Sequence, residues 1–346
     1  MAQFFKQPDR IVTMTNLQTQ LGMDDTQWAL TNIFHSNALN RIDQCLNSGT
    51  RFVHYTTADK AMKLLSNREV WLRKSTRVND FMEIEHGLNC LSSAWRKNKP
   101  GFEKQFEDLF PGVCERIEGQ FNSWLPSYRT GTFIACVSEH DDKPEKNEDR
   151  MGRLSMWRAY GGSAGVAIVM KGDVFHRMVL SDALKAYTSP VAYLDVEEFN
   201  VEFVKLISAI TSNMPLMKKI GQEHFLLLIA HAFHYATICT KHPGFSEERE
   251  WRFVYCAAIS KSEIISETVE SIDGIPQKVC KLPLADIPEK GLTGLELAKL
   301  IDRIIIGPSH SPYEIYEAMV ELMRKAGIAD AASKVFVSDI PLRQTN

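Results

Sequence analysis

The chain has 346 residues, 44% of them apolar, which is enough for one large domain or two ordinary ones around a sizeable core. A formal net charge of -3 and a pI near 6.4 argue against a broad electrostatic footprint for nucleic acid or an anionic membrane. Seven scattered cysteines with no Cys-x-x-Cys pair support neither a disulfide framework nor a thiolate zinc site.

The first stretch, "MAQFFKQPDRIV", lacks an apolar signal core. The apolar run "FLLLIAHAF" from Phe225 falls short of the roughly 20 residues that a membrane span needs. The expectation is a soluble cytoplasmic protein with reduced thiols and no membrane partner. Residues 1–48 read as an N-terminal helical extension, because Trp28, Leu30, Ile33, Phe34, Ala38, Ile42 and Cys45 recur every three to four positions. From Arg51, "RFVHYT" reads as a strand. A helix capped by Thr56 and Asp59 follows, and then a second strand, "EVWLRK".

A turn at Asn79-Asp80 leads into a helix striped by Phe81, Ile84, Leu88, Leu91 and Trp95, with more helix to about Leu125. "GTFIACVS" is a strand candidate that runs into the charged "EHDDKPEKNEDR", which is expected to bury almost nothing and to form a mobile loop. A short helix around Trp157 and Tyr160, a glycine turn and the strand "GVAIVMK" follow, and then the short strand "SPVAYLD". Residues 196–242 are mostly helical, ending near His242-Pro243-Gly244. "REWRFVYC", "KVCKLPL", "RIIIGP" and "KVFVSD" are strands, with a helix over Tyr313 to Ala326.

Strands scattered among helices without regular alternation predict an α+β fold: a central mixed or antiparallel sheet decorated by helices. Its expected extent is one domain over 49–346 with helical insertions at about 81–127 and 196–242. The order helix, glycines, strand at Gly161-Gly162-x-x-Gly165 is the reverse of a phosphate cradle, where a helix N-terminus follows the glycines.

Several stretches could carry chemistry. If "SEEREWRF" enters a strand at Glu248, then Glu248, Glu250 and Arg252 share a face, with the two carboxylates about 7 Å apart. The cation keeps both carboxylates ionised, which suits charge stabilisation or hydroxyl binding, while a solvated ladder of ion pairs is the plainer alternative. His54 and Tyr55 end a strand, where scaffolds present functional groups, or else His54 is merely satisfied at a sheet edge. Asn79, Asp80, Glu83 and Glu85 fit either a turn before a helix or a hard-metal site. Trp157 and Tyr160 share a helix face, as core or as a pocket wall. His224, His231, His234 and His242 carry no metal-protease motif.

Taken in order, "FVHYTTADKAMKLLSNREVWLRKSTRVNDFMEIEHG", "FIACVSE", "SMWRAYGGSAGVAIVM", "VAYLD", "EEREWRF" and "RIIIGP" resemble a bacterial family known only as a domain of unknown function, of DUF 2971 type, over roughly residues 50–310. The stretch "HYTT…AMKLLSNREVWL" also looks like the first strand and helix of ADP-ribosyltransferase-type domains, and His54, Tyr160 and Glu250 follow in that fold's order. The Ser-Thr-Ser element is missing, and Tyr55 stands where many relatives of that fold have glycine.

This second resemblance implies a split ADP-ribosyltransferase-like sheet and NAD as substrate. Glu250 would stabilise the oxocarbenium-like charge, Glu248 would orient the acceptor, His54 would hold the ribose and Tyr160 would stack on nicotinamide. Tyr55 and Arg252 join the expected NAD-binding set, and Asn79, Asp80, Glu83 and Trp157 form a further candidate polar site.

Three classes follow. The first is an NAD-dependent ADP-ribosyltransferase-like or NAD-cleaving enzyme, an effector in bacterial conflict or phage defence with a protein or nucleic-acid acceptor. The second is a metal-dependent phosphoesterase or nuclease using Asp80, Glu83, Glu248 and Glu250. The third is a non-catalytic sensor or interaction module.

Overall fold

The computed structural model describes residues 14–77, 83–140, 147–176, 183–272 and 274–341. The expected turn at Asn79-Asp80, and Phe81 with it, lies outside the described residues. The helices are α1 (Met14–Gln20), α2 (Asp25–Phe34), α3 (Ser36–Ser48), α4 (Ala58–Asn67), α5 (Glu83–Phe106), α6 (Val113–Gly131), α7 (Glu148–Met151) and α8 (Leu154–Tyr160). They continue as α9 (Asp173–His176), α10 (Val196–Ser212), α11 (Met214–Ile238), α12 (Leu297–Leu300), α13 (Pro312–Lys325) and α14 (Ala331–Lys334). The strands are β1 (Arg51–Thr57), β2 (Glu69–Lys74), β3 (Thr132–His140), β4 (Ala164–Met170), β5 (Ala186–Pro190) and β6 (Ala192–Tyr193). After them come β7 (Thr240–Lys241), β8 (Glu250–Cys256), β9 (Ser266–Ile272), β10 (Ile275–Pro283), β11 (Ile301–Ser309) and β12 (Val335–Val337).

The architecture is α+β. One large sheet runs β12-β11-β4-β1-β3-β2-β10-β9, and β8 joins it on β3 and carries β5 on its other edge. Its pairings are antiparallel except for β11 with β12. The sheet forks at β3. One edge of β3 pairs with β8 over Thr132 to Ser138, while the other gives Phe133 and Ile134 to β2 and Ser138 to His140 to β1.

Strand alternation divides the core. Val53 pairs with Ser138, which pairs with Glu250, so these three share a face, and Tyr55 shares it with Val53. His54, Val137 and Trp251 lie on the other. On the Tyr55 face α8 buries Met156 and Trp157 against Val53, Ala167, Val169 and Ile305, and Ile84, Leu88 and Ile238 pack on Ile134 and Val254. On the His54 face α4 and α13 bury Ala61, Leu65, Met319 and Met323 against Ile168 and Ile304, and α3 packs Ile42 and Cys45 near Phe52 and Trp251.

Local signals explain most of these elements and also the departures from expectation. Helix α4 is capped by Thr57, without a side-chain bond, so Thr56 and Asp59 do not form the expected cap. The charged stretch is not an empty loop at its ends: Glu139 and His140 are the last residues of β3, and Glu139 and Glu148 are buried because each acid finds a guanidinium. Strand β9, with one exposed Val269 and one buried Ile272 among Ser, Glu and Thr, carried too weak a pattern to be expected.

The glycines around α8 serve one side chain. A Cβ at Gly152, Gly165 or Gly307 would come within 3.0 Å of the Trp157 indole, and Gly152 also has a φ of +72°. The indole is 2% exposed and donates to the Met151 carbonyl at 2.8 Å. What approaches the glycine turn closely is therefore Trp157 itself.

Candidate functional site

The element before β8 decides the site. Strand β8 starts at Glu250, not at Glu248: Pro243–Glu248 form a 3-10 turn, and Arg249 adopts a left-handed φ of 45°. The expected single-face ladder is thus broken, because Glu248 sits on a turn. The turn nevertheless folds Glu248 back to Glu250, and a lysine that the sequence pattern did not single out bridges them. Lys241, on β7, places Nζ 2.7 Å from Glu248 Oε2 and 3.3 Å from Glu250 Oε2, with its side chain 3% exposed.

Arg252 completes the pair. Its Nε donates to Glu250 Oε1 at 2.8 Å and its Nη2 to Glu250 Oε2 at 3.1 Å, and it also donates to the Ile238 carbonyl at the end of α11. Burial works to raise the Glu250 pKa, but Arg252 and Lys241 outweigh it and hold the carboxyl below the usual carboxylate range. The expectation of an ionised Glu250 matches this environment. Tyr193 hydroxyl accepts the Glu250 backbone N–H at 2.8 Å, fixing the start of the strand.

Tyr160, at the end of α8, donates its hydroxyl to Glu248 Oε1 at 3.1 Å. Burial, and next the neighbouring Glu248 charge, push its phenol far above its ordinary range, so it remains a proton-bearing donor. Arg153, the residue that opens α8, ties this helix to the turn by donating to the carbonyls of Glu247 and Glu248 at 2.6 and 3.3 Å. Glu148 holds Arg153 in turn, accepting from it at 2.8 Å and from Arg249 at 2.7 Å. Glu248 is the most open carboxylate of the cluster, with 16% of its side chain exposed.

The structure therefore brings Tyr160, Glu248, Glu250 and Arg252 together. Tyr55 lies on the same face but faces the Arg153 anchor: its hydroxyl accepts the Arg153 backbone N–H at 2.8 Å and its ring meets Trp157 edge-on at 4.8 Å. Trp157 packs in its glycine box and does not line the cluster. His54 is not brought to the cluster, since it lies on the opposite face of the sheet with Nδ1 3.0 Å from the Cys136 carbonyl oxygen. Asn79 and Asp80 lie outside the described residues, as does the side chain of Glu83.

Sequence reasoning missed Lys241, Tyr193, Glu148 and Arg153. Lys241 had one weak signal, its place just before the His-Pro-Gly that ends the helical region. Among the described residues no group of three His, Cys, Asp or Glu side chains is placed to hold a metal ion. Between Glu248 and Glu250 the position a cation would take is held by the Lys241 ammonium.

The fold and cluster define an α+β protein on a forked, mostly antiparallel sheet, with an ion-paired carboxylate pair at the start of one strand. Residues 156–253 match the model of a family described as a protein of unknown function (DUF2971), the family that the order of motifs resembles, over a shorter span than the motifs cover. No curated protein and no solved structure matches the chain. No helix among the described residues is long and apolar enough to cross a membrane.

Proposed function

We propose that the protein is an NAD-cleaving, ADP-ribosyltransferase-like enzyme whose reacting centre is the Tyr160–Glu248–Glu250 cluster. The observation that carries this reading is the Glu248/Glu250 pair bridged by Lys241, with the Tyr160 hydroxyl on Glu248. Cleavage of the nicotinamide–ribose bond builds positive charge on the ribose, and a fixed carboxylate stabilises that charge without reorganising.

Glu248, the more open of the two, faces the developing charge or a ribose hydroxyl. Glu250, locked by Arg252 and Lys241, positions it. His54 has no part in this centre, which separates the reading from the residue set that the fold resemblance implies. The acceptor is a protein or a nucleic acid, and seven cysteines held in no disulfide fit a reducing cytoplasm and a role as an effector in bacterial conflict.

A second reading is favoured by the depth of Glu250 and Arg252, which are 6% and 2% exposed: the cluster is an ionic brace joining β7, β8 and α11 and does no chemistry. One experiment separates the two. Purified protein is incubated with NAD and cell lysate, and nicotinamide release and transfer of labelled ADP-ribose are followed for the unchanged chain, Glu248→Gln and Tyr160→Phe. The enzyme reading expects release that falls at least about a hundredfold in Glu248→Gln, the scale of removing a transition-state charge partner. Intact NAD with the unchanged chain would leave the brace.

A further inference from the structure

At the fork, the edge of β3 that pairs with β2 through Phe133 and Ile134 passes to β1 only from Ser138 onward, so the two neighbouring strands splay apart beside its middle. On the His54 face, at this fork, lies a cavity of about 140 Å³. It sits where two cores meet without merging. One core lies under β4 and β11, the other under β2, β8 and β10, and Val70 and Val174 touch both. Ile168, Met170, Phe175, Ala186, Phe253 and Leu282 give it an apolar wall. Apolar cavities of about 150 Å³ stay dry and take up benzene-sized guests.

One polar group interrupts this wall. His54 lines the cavity and is half-buried. Its Nδ1 lies 3.0 Å from the Cys136 carbonyl oxygen, which can only accept, so Nδ1 carries the proton. Burial lowers the pKa of the ring and the charge of Lys60 adds to it, against the opposing pull of the Cys136 hydrogen bond, so the ring is kept neutral. Nε2 is then an acceptor, and no protein group among the described residues donates to it. Of the other polar residues of the wall, Thr188 is engaged, while Tyr187, whose buried hydroxyl has no hydrogen-bond partner among the described residues, is turned away. Thr188 Oγ1 donates to the Phe175 carbonyl at 2.5 Å, and Tyr187, in register with Val254 on the opposite face, stacks its ring on Tyr235.

We propose that this cavity is a binding site for a small, uncharged, ring-sized molecule that carries one hydroxyl or N–H donor, of the phenol or indole class, with the donor bonded to His54 Nε2. The site is separate from the carboxylate cluster, across the sheet from it, and does not rest on the reading of that cluster. An apolar wall with one acceptor selects by the donor: a guest of the same shape without it gives Nε2 no partner, whereas a phenol satisfies it.

The test is calorimetric titration of the full chain with phenol, indole and toluene. Phenol or indole is expected to bind at sub-millimolar to millimolar concentration, and toluene at least about tenfold more weakly, because it fills the same space without the bond. Ala186→Leu and Ala135→Leu each place a side chain in the cavity and are expected to abolish binding, with folding of each confirmed by its circular dichroism and melt. His54→Leu is expected to bring phenol down to the affinity of toluene. No binding of phenol or indole at 10 mM, on the order of the weakest affinity worth calling specific, overturns the proposal. So does binding of phenol and toluene with equal affinity, or phenol binding that survives in a folded Ala186→Leu variant. The comparison of phenol with toluene uses the unchanged protein and decides the matter even if every variant misfolds.

Discussion

Replacing Glu250 by glutamine keeps the shape of the side chain and removes one charge from a buried group of four. In the native cluster two carboxylates face two cations, Lys241 and Arg252, whose side chains are 3% and 2% exposed. After the change, Glu248 still meets Lys241, and Arg252 still reaches the introduced amide oxygen and the Ile238 carbonyl but loses the Glu250 charge. Removing one partner of a buried ion pair typically costs about 3–5 kcal/mol, and the surviving amide–guanidinium bond puts this case near the lower end, about 3 kcal/mol at pH 7.

The assay is urea unfolding followed by tryptophan fluorescence, with an unchanged slope required so that the midpoint shift reads stability. A second change, Arg252→Met, removes the stranded cation and is expected to recover a large part of the loss. The pH dependence has a definite sign. The folded pKa of Glu250 lies below its unfolded value, so its contribution is complete above about pH 4.5 and fades as the pH falls through the folded pKa. The gap between native and variant should therefore be constant from pH 7 to about pH 5 and narrow below. A cost under about 1 kcal/mol, or a gap that widens on acidification, would refute the buried-pair reasoning.

Further expectations concern neighbouring elements. Gly307→Ala places a Cβ 2.7 Å from the Trp157 ring and should cost about 1–3 kcal/mol, whereas Gly101→Ala, with open space around it inside α5, should be neutral or stabilising; parallel melts compare them. His234 is buried against the Tyr128 ring at 4.1 Å with its pKa lowered to about 3 by burial and then by His231, so the unfolded chain protonates first as the pH falls. Its contribution is complete above about pH 6.5, and about 2 kcal/mol of it should be gone by pH 5, a slope that His234→Phe should reduce in urea titrations. Arg153→Lys, which cannot reproduce the forked contacts to Glu148 and the turn carbonyls, should loosen Pro243–Glu248 and raise amide exchange there while β4 stays protected.

The fold was legible where periodicity was strong. β1, β3, β4, β8 and β11 carry β-branched or aromatic runs that predict strands, and α5 and α13 carry clear apolar stripes. What the sequence could not show was pairing: the fork at β3 depends on which edge β1 and β2 share, and no local pattern encodes that. The candidate site was half legible. Glu250 and Arg252 alternate as a strand requires, and Tyr160 ends its helix, but Glu248 reaches the cluster through a 3-10 turn and a left-handed Arg249. Non-glycine residues enter that conformation seldom, so a strand was the natural expectation. His54 was read from its place at a strand end, and alternation alone put it on the face away from Glu250 once the register was known.

The segment that matches the family model, 156–253, contains Tyr160, Lys241, Glu248, Glu250 and Arg252, yet it does not contain the sheet that holds them. Its strand β4 is paired on one edge by β1 and on the other by β11, and β8 is paired by β3, all from outside the segment. Val166, Ala167, Ile168 and Val169 are each at most 1% exposed in the whole chain, and in an isolated fragment they would lose the neighbours that cover both their faces and both their edges. Strand β5 can still pair with β8, but a two-stranded pair is marginal alone in water. A fragment of residues 156–253 is therefore expected to lack a cooperative melt and to show collapsed amide dispersion by NMR. The part of α11 after its break at Gly221, where φ is +80°, should keep residual structure, since that stretch is as long as any run of local hydrogen bonding left in the fragment. A fragment that melts cooperatively with native-like dispersion would mean that the cluster and its helices suffice for a core, and that the flanking strands are additions to it.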